Sequence, residues 1–389
     1  MATRELIALR SERPALFVGI VGFLIAIGGA WLGAEQFYRS YLLSYLFWFA
    51  MALGALPLVM LHHLVGGRWG FVARRILEAS TRTLPLMALL FVPVLFGIHH
   101  LYEWANIDVV AKDVILQHKS SYLNVTFFIA RAAGYFLIWI FLQWVLNRWS
   151  AEQDRTKDPG RMARLMRRFQ KLSGPGLIIY ALTITFAATD WIMSLEPQWF
   201  STVYGLMFMI GQILAALAFS IAVLGTIADE PPFASYLRPE TLQDLGNLMF
   251  AFLMVWAYLS FSQFLIIWSG NLPEEIPWYV RRSSGGWQWM AMFLAGFHFA
   301  IPFVLLLARR NKRRKYVLAS IAVAVVVMRF ADLMWLVVPA HEPSIRIHWQ
   351  DVVTLAAIGG LWFSTFARQL RLRPVLPLND PEFSLKESS

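Results

Sequence analysis

The sequence predicts an all-α polytopic membrane protein. Of 389 residues, 58% are hydrophobic and 15% charged, and mean hydropathy is +0.55. The apolar residues gather into ten stretches of about 20 residues, the length that carries a helix across the hydrocarbon core. Inside lipid the backbone must satisfy its own hydrogen bonds, so each stretch reads as a helix.

The first stretch, near 15–32, follows a polar, Arg-rich dozen residues and has no small-residue cleavage pattern, so it is expected to stay as a helix rather than be removed as a signal. The second (41–64) closes on His62 and His63, and the third (84–101) contains Pro93 and closes on His99 and His100. The fourth (122–146) holds Arg131 inside the run, and the fifth (175–194) holds Asp190 near its end. The sixth (203–227) and seventh (246–269) are apolar runs of spanning length. The eighth (287–308) contains His298 and Pro302, the ninth (316–338) contains Arg329 and Asp332, and the tenth is 349–368.

Charge placement gives the topology. With both termini and every second loop on one side, that side collects 26 of the 34 Lys and Arg, including Arg161, Arg164, Arg167, Arg168, Lys171 and the run from Arg309 to Lys315. The positive-inside rule then puts both termini in the cytoplasm. On this reading the net charge of +10 reflects loop retention and not nucleic-acid binding. Binding of anionic lipid is the lesser alternative for the basic runs.

The chain has no cysteine, which excludes an in-chain iron–sulfur cluster, thioether-attached haem and disulfides. A b-type haem needs two imidazoles meeting at similar depth, and the histidines do not pair that way. No metal site, phosphate-binding glycine loop or hydrolase nucleophile motif is expected. The chain is therefore expected to bind no redox cofactor alone.

A charge inside an apolar run usually faces a bundle interior and marks a pathway or site, which singles out Arg131, Asp190, His298, Arg329 and Asp332. Tyr180, Thr183, Ala187 and Asp190 share one helical face, because they follow at intervals near multiples of a turn. Hydroxyls relay protons between waters and a carboxylate stores one, so the stripe reads as half of a proton path. The alternative is that Thr183 bonds back to its own helix and Tyr180 belongs to an interface belt. Toward the outer side, His99 and Glu103 are four residues apart and Arg329 and Asp332 three apart, so each pair falls on one helical face. With Asp190 and Glu196 they form a candidate outer cluster. His99, Glu103 and Asp190 have the acid–base chemistry to receive protons from a quinol. A buried ion-pair network, with Arg131 and Arg329 neutralising aspartates, explains the same residues structurally.

An internal repeat is also expected. Asp190 and Asp332 each stand seven residues before a proline, Pro197 and Pro339, at the outer exit of their spans. The offset of four helices preserves orientation, giving parallel bundles at 41–194 and 203–338. Residues 1–40, with the first helix, and 339–389, with the tenth helix and a cytoplasmic tail, flank them.

Three segments carry a family resemblance: Tyr122-Leu-Asn-Val-Thr-Phe-Phe-Ile-Ala-Arg-Ala-Ala133, Asp190-Trp-Ile-Met-Ser-Leu-Glu-Pro-Gln-Trp-Phe-Ser-Thr202, and Phe261-Ser-Gln-Phe-Leu-Ile-Ile-Trp-Ser-Gly-Asn-Leu-Pro-Glu-Glu275. They resemble the F-type membrane subunits (ActF) of bacterial alternative complex III, which are NrfD-like integral membrane proteins. The resemblance covers the third to ninth spans and implies two four-helix bundles with extra helices. It further implies an inner-membrane respiratory quinol:cytochrome c oxidoreductase in which other subunits carry the electrons. Implied partners are the paralogous quinol-binding subunit ActC, iron–sulfur and multihaem cytochrome c subunits, small membrane subunits, lipid and a terminal cytochrome oxidase. For this subunit the implied role is proton conduction, with quinol interaction as a further expectation. At Met328-Arg-Phe-Ala-Asp332 some relatives have His in place of Arg329, and Arg stays charged where His titrates.

Two other function classes remain open on the sequence. A secondary transporter would place substrate at a midplane site between repeats, with helix breakers at matched positions. Pro93 and Pro302 interrupt spans that do not correspond under the repeat. A purely structural scaffold subunit is compatible with every observation above.

Overall fold

The computed structural model describes residues 12–231, 233–377 and 379–380, and every regular element in them is helical. The polar segment expected before the first helix and the end of the tail lie outside the described residues. Among the described residues, nine helices are long and apolar enough to cross a membrane. These are α1 (Glu12–Ala30), α2 (Ala34–Val65), α3 (Arg68–Phe96), α4 (Val125–Arg155), α5 (Pro159–Leu195), α6 (Tyr204–Ile227), α7 (Pro239–Gly270), α8 (Trp287–Leu307) and α9 (Lys315–Ala340). A tenth, α10 (Trp349–Arg371), matches them in length but carries more polar residues. The chain is an all-α, multi-pass membrane protein.

Several helices outrun their apolar cores. Helix α5 starts at Pro159 and not near 175, because Asp158 caps it, accepting from the backbone N–H of Gly160 and Arg161 at 3.1 and 3.0 Å. Proline in the first turn loses nothing, since that N–H has no helical partner. The larger departure is α3, which begins at Arg68 where the sequence suggests a loop up to 84. Its first segment, Arg68–Thr81, is buried despite its charges because they satisfy one another. Glu78 accepts Arg74 Nε at 2.8 Å and Arg75 Nη1 at 2.7 Å. Arg75 also reaches Ser150 at 2.7 Å and pairs with Asp154. Arg74 donates to Gln153 at 2.7 Å and to Asp380 at 3.2 Å, so the segment after α10 is tied to α3 and α4.

Helices α2 to α5 pack as one ring, α2 on α3, α3 on α4, α4 on α5 and α5 on α2. Helices α6 to α9 pack in the same cyclic order, and α2 and α6 meet between the rings. Burial follows this arrangement. The apolar window of α2 is 94% buried, whereas those of α1, α7 and α8 are 17%, 22% and 22% buried, so the latter three turn most of their surface outward. Helix α1 lies along α10 with the backbones nearly touching. A Cβ on Gly19 would sit 2.6 Å from Leu361 N, and one on Gly360 would sit 2.5 Å from the Ala15 carbonyl oxygen. In lipid, close packing replaces the hydrophobic drive between helices, so small residues make this seam.

Candidate functional site

In the α2–α5 ring the charges at the outer end of α5 are locked together. Asp190, fully buried on α5, accepts Arg131 Nε at 2.8 Å and Arg131 Nη2 at 2.9 Å in a two-pronged pair. The Tyr135 hydroxyl donates to the same carboxylate at 2.8 Å. Helix α4 starts at Asn124, whose side chain accepts from the Phe127 N–H, and this sets Arg131 two turns in. The guanidinium donates to the Tyr122 carbonyl at 2.9 Å and stacks on Tyr122 and Phe127, 3.8 and 4.4 Å from the ring centres. Two aromatic faces and a bidentate carboxylate make this a strongly fixed cation.

The α5 stripe is buried as expected at Tyr180, Thr183, Ala187 and Asp190, but no hydrogen bonds link its side chains among the described residues. Thr183 Oγ1 donates to the Ile179 carbonyl at 2.7 Å and accepts Trp139 Nε1 at 2.8 Å. An indole N–H only donates, so Trp139 ends the chain at Thr183. The Tyr180 hydroxyl is buried with no partner among the described residues.

The proposed outer cluster comes apart in one place. His99 and Glu103 do not share a helical face, because the short helical turn Ile98–Leu101 that follows α3 ends between them and Tyr102 is extended. Both residues are exposed. Tyr102 turns inward and donates to the Trp191 carbonyl at 2.9 Å, which costs the helix its next turn. Glu196 is taken up by Arg281 at 3.1 Å and Arg282 at 3.0 Å. Arg282 also stacks on Trp278, 3.6 Å from its ring centre. On the same side His341 is pushed down to about 4 by burial and the nearby Arg39.

The Arg329–Asp332 pair in the α6–α9 ring is less fully satisfied than Arg131–Asp190. Arg329 and Asp332 pair on α9, and Trp256 Nε1 of α7 donates to Asp332 at 3.3 Å. Arg329 lies against Gly211 of α6, where a Cβ would meet the guanidinium carbon at 2.4 Å. That close approach is what requires glycine there. Yet Arg329 Nε and Nη2 are buried without a hydrogen-bond partner among the described residues. His298 meets Trp256 edge to face at 4.2 Å, and neither ring nitrogen has a partner among the described residues. Gln212, next along α6, is buried with both amide atoms unpartnered among the described residues. Around His298 the α8 backbone widens into a π-helical turn, Leu294–Ala300, a distortion that recurs at functional sites. Buried polar atoms in folded proteins are nearly always satisfied, by protein or by ordered water. Four such atoms, on His298 and Arg329, therefore mark a place suited to ordered water.

Asp332 also lines a groove of about 770 Å³ between α7 and α8, walled by Trp256, Phe261, Phe264, Leu294, Phe299 and Trp335. Ser260 Oγ and Trp335 Nε1, also in its wall, have no partner among the described residues. The wall is mostly apolar, and the groove is partly open along the two outward-turned helices.

The sequence missed Gln212, Tyr135, Trp139 and Trp256, which are ordinary residues for an apolar run. Among the described residues, no group of three His, Cys, Asp or Glu is placed to hold a metal ion. No family model and no curated protein matches the chain.

Proposed function

We propose that the chain is an integral membrane subunit of a bacterial inner-membrane quinol:cytochrome c oxidoreductase of the alternative complex III kind, with both termini cytoplasmic, and that it conducts protons. The resemblance at Tyr122–Ala133, Asp190–Thr202 and Phe261–Glu275 supports the family. The observation that carries the function is the unsatisfied set in the α6–α9 ring: His298 and Arg329, with unpartnered nitrogens, beside the carboxylate of Asp332. Waters hydrogen-bonded to these atoms supply the relay. His298 and Asp332 are its titratable members, and Arg329 is a fixed positive charge beside them that keeps other cations out. In the α2–α5 ring, Arg131 and Asp190 serve as an ion-pair lock, with Tyr180 and Thr183 lining the helix face that leads to it.

The groove favours a second contribution, interaction with quinol. An apolar slot open toward lipid suits an isoprenoid tail, and Asp332, Ser260 and Trp335 offer an acceptor and donors to a hydroxylated ring. Electron transfer belongs to partners: the haem c and iron–sulfur subunits, with the ActC-like paralogue as the principal quinol binder.

Purification from native membranes through a tag on this chain tests the assignment. Haem absorbance and iron–sulfur clusters are expected to accompany it, and the chain freed of its partners should show no Soret band. Recovery from native membranes without any haem-bearing partner would overturn the assignment.

A further inference from the structure

The connection between α8 and α9 places Arg309, Arg310, Lys312, Arg313, Arg314 and Lys315 within seven residues. Their roles divide. Lys312 turns inward and donates to Asn247 at 2.7 Å, and Lys315 pairs with Asp229. Arg309 and Arg313 both donate Nε to the amide oxygen of Gln243, at 2.9 and 2.8 Å, which holds two guanidiniums side by side. Arg310 and Arg314 have no partner among the described residues. These four arginines and Pro239, at the start of α7, enclose an open depression of about 520 Å³. Among the described residues, the one carboxylate paired with any of the four is Glu240, 3.4 Å from Arg313.

Four guanidiniums around one depression repel one another unless an anion sits among them. The planar fork of arginine matches phosphate oxygens two at a time. The position of the depression decides the source of the phosphate. On α8, Ile301, Val304, Leu305 and Leu307 are 45%, 63%, 38% and 56% exposed, so an apolar face turned outward runs to within two residues of Arg309. A ligand here has arginines at its polar end and a bare hydrocarbon-facing helix beside it.

We propose that this depression binds the headgroup of an anionic phospholipid, with its acyl chains laid along the outward face of α8. A lipid with two phosphates, such as cardiolipin, fits best, because one phosphate can engage the Gln243-held pair and the other the free pair.

The full-length chain, exchanged into phosphatidylcholine nanodiscs with or without cardiolipin, provides the test through mass spectrometry of the lipids it retains. Cardiolipin should be retained in preference to phosphatidylcholine. The double variant Arg310→Gln/Arg314→Gln should weaken retention about 30-fold, while Arg310→Lys/Arg314→Lys should keep most of it. Arg164→Gln/Arg167→Gln, on the exposed basic face of α5, should leave it unchanged. If the glutamine variant fails to fold, the lysine variant and the wild-type competition with excess inorganic phosphate still decide. Displacement by inorganic phosphate would mean a free-ion site and would overturn the proposal. So would unchanged retention in the glutamine variant, a loss as large in the lysine or α5 variant, or no preference for cardiolipin.

Discussion

Glu78→Gln is expected to destabilise the protein by about 3 kcal/mol, measured as unfolding of the purified chain in detergent. Removing one partner of a buried ion pair typically costs about 3 to 5 kcal/mol, because the remaining charge stays buried and unpaired. The lower end applies here. Glu78 faces two guanidiniums that are each 1% exposed and a third, Arg373, at 3.7 Å, but Asp380 still holds Arg74, Asp154 still holds Arg75 and the Asn147 carbonyl still accepts from Arg373. Glu240→Gln, which removes an exposed partner of Arg313, should change stability by less than about 1 kcal/mol. Equal small effects from both variants would show that the Glu78 network is not a structural lock.

Asp190→Asn should impair assembly more than it impairs chemistry. The substitution keeps the shape of the side chain and its capacity to hydrogen-bond Tyr135, but it leaves Arg131 without its counter-charge inside the α2–α5 ring. About 3 to 5 kcal/mol is the expected cost, read as loss of the subunit from purified complex. The double variant Arg131→Gln/Asp190→Asn makes the site neutral and should recover most of the assembly. If Asp190→Asn assembles normally and proton coupling falls, the carboxylate is itself a relay and the lock reading is wrong. Normal assembly with normal coupling would leave Asp190 as a tolerated polar residue with neither role.

The helical, membrane-spanning character was legible because it depends on a local quantity, the apolar run. Helix ends were less so. A helix continues past the lipid boundary wherever polar residues still cap and pair, as Asp158 does for α5, and hydropathy cannot see that. The charged segment Arg68–Thr81 has the composition of a solvated loop. Its burial depends on Asp154 and Asp380, whose distance along the chain hides the pairing. At the site, the charges inside apolar runs were visible, and the Arg131–Asp190 and Arg329–Asp332 pairs answer to the ion-pair alternative. The His99–Glu103 spacing misled because it assumes an unbroken helix, which Tyr102 ends. Gln212 and Trp256 had no signal of their own, since their importance lies in what they fail to bond or in what they bond across helices.

The account turns on water-borne proton transfer at His298 and Asp332. The most direct test is proton movement during quinol oxidation by the assembled complex in sealed vesicles, comparing wild type with His298→Leu. Leucine fills the space but removes both ring nitrogens, so the complex should assemble with unchanged haem content while proton translocation is lost. Full translocation in a normally assembled His298→Leu complex would contradict the account.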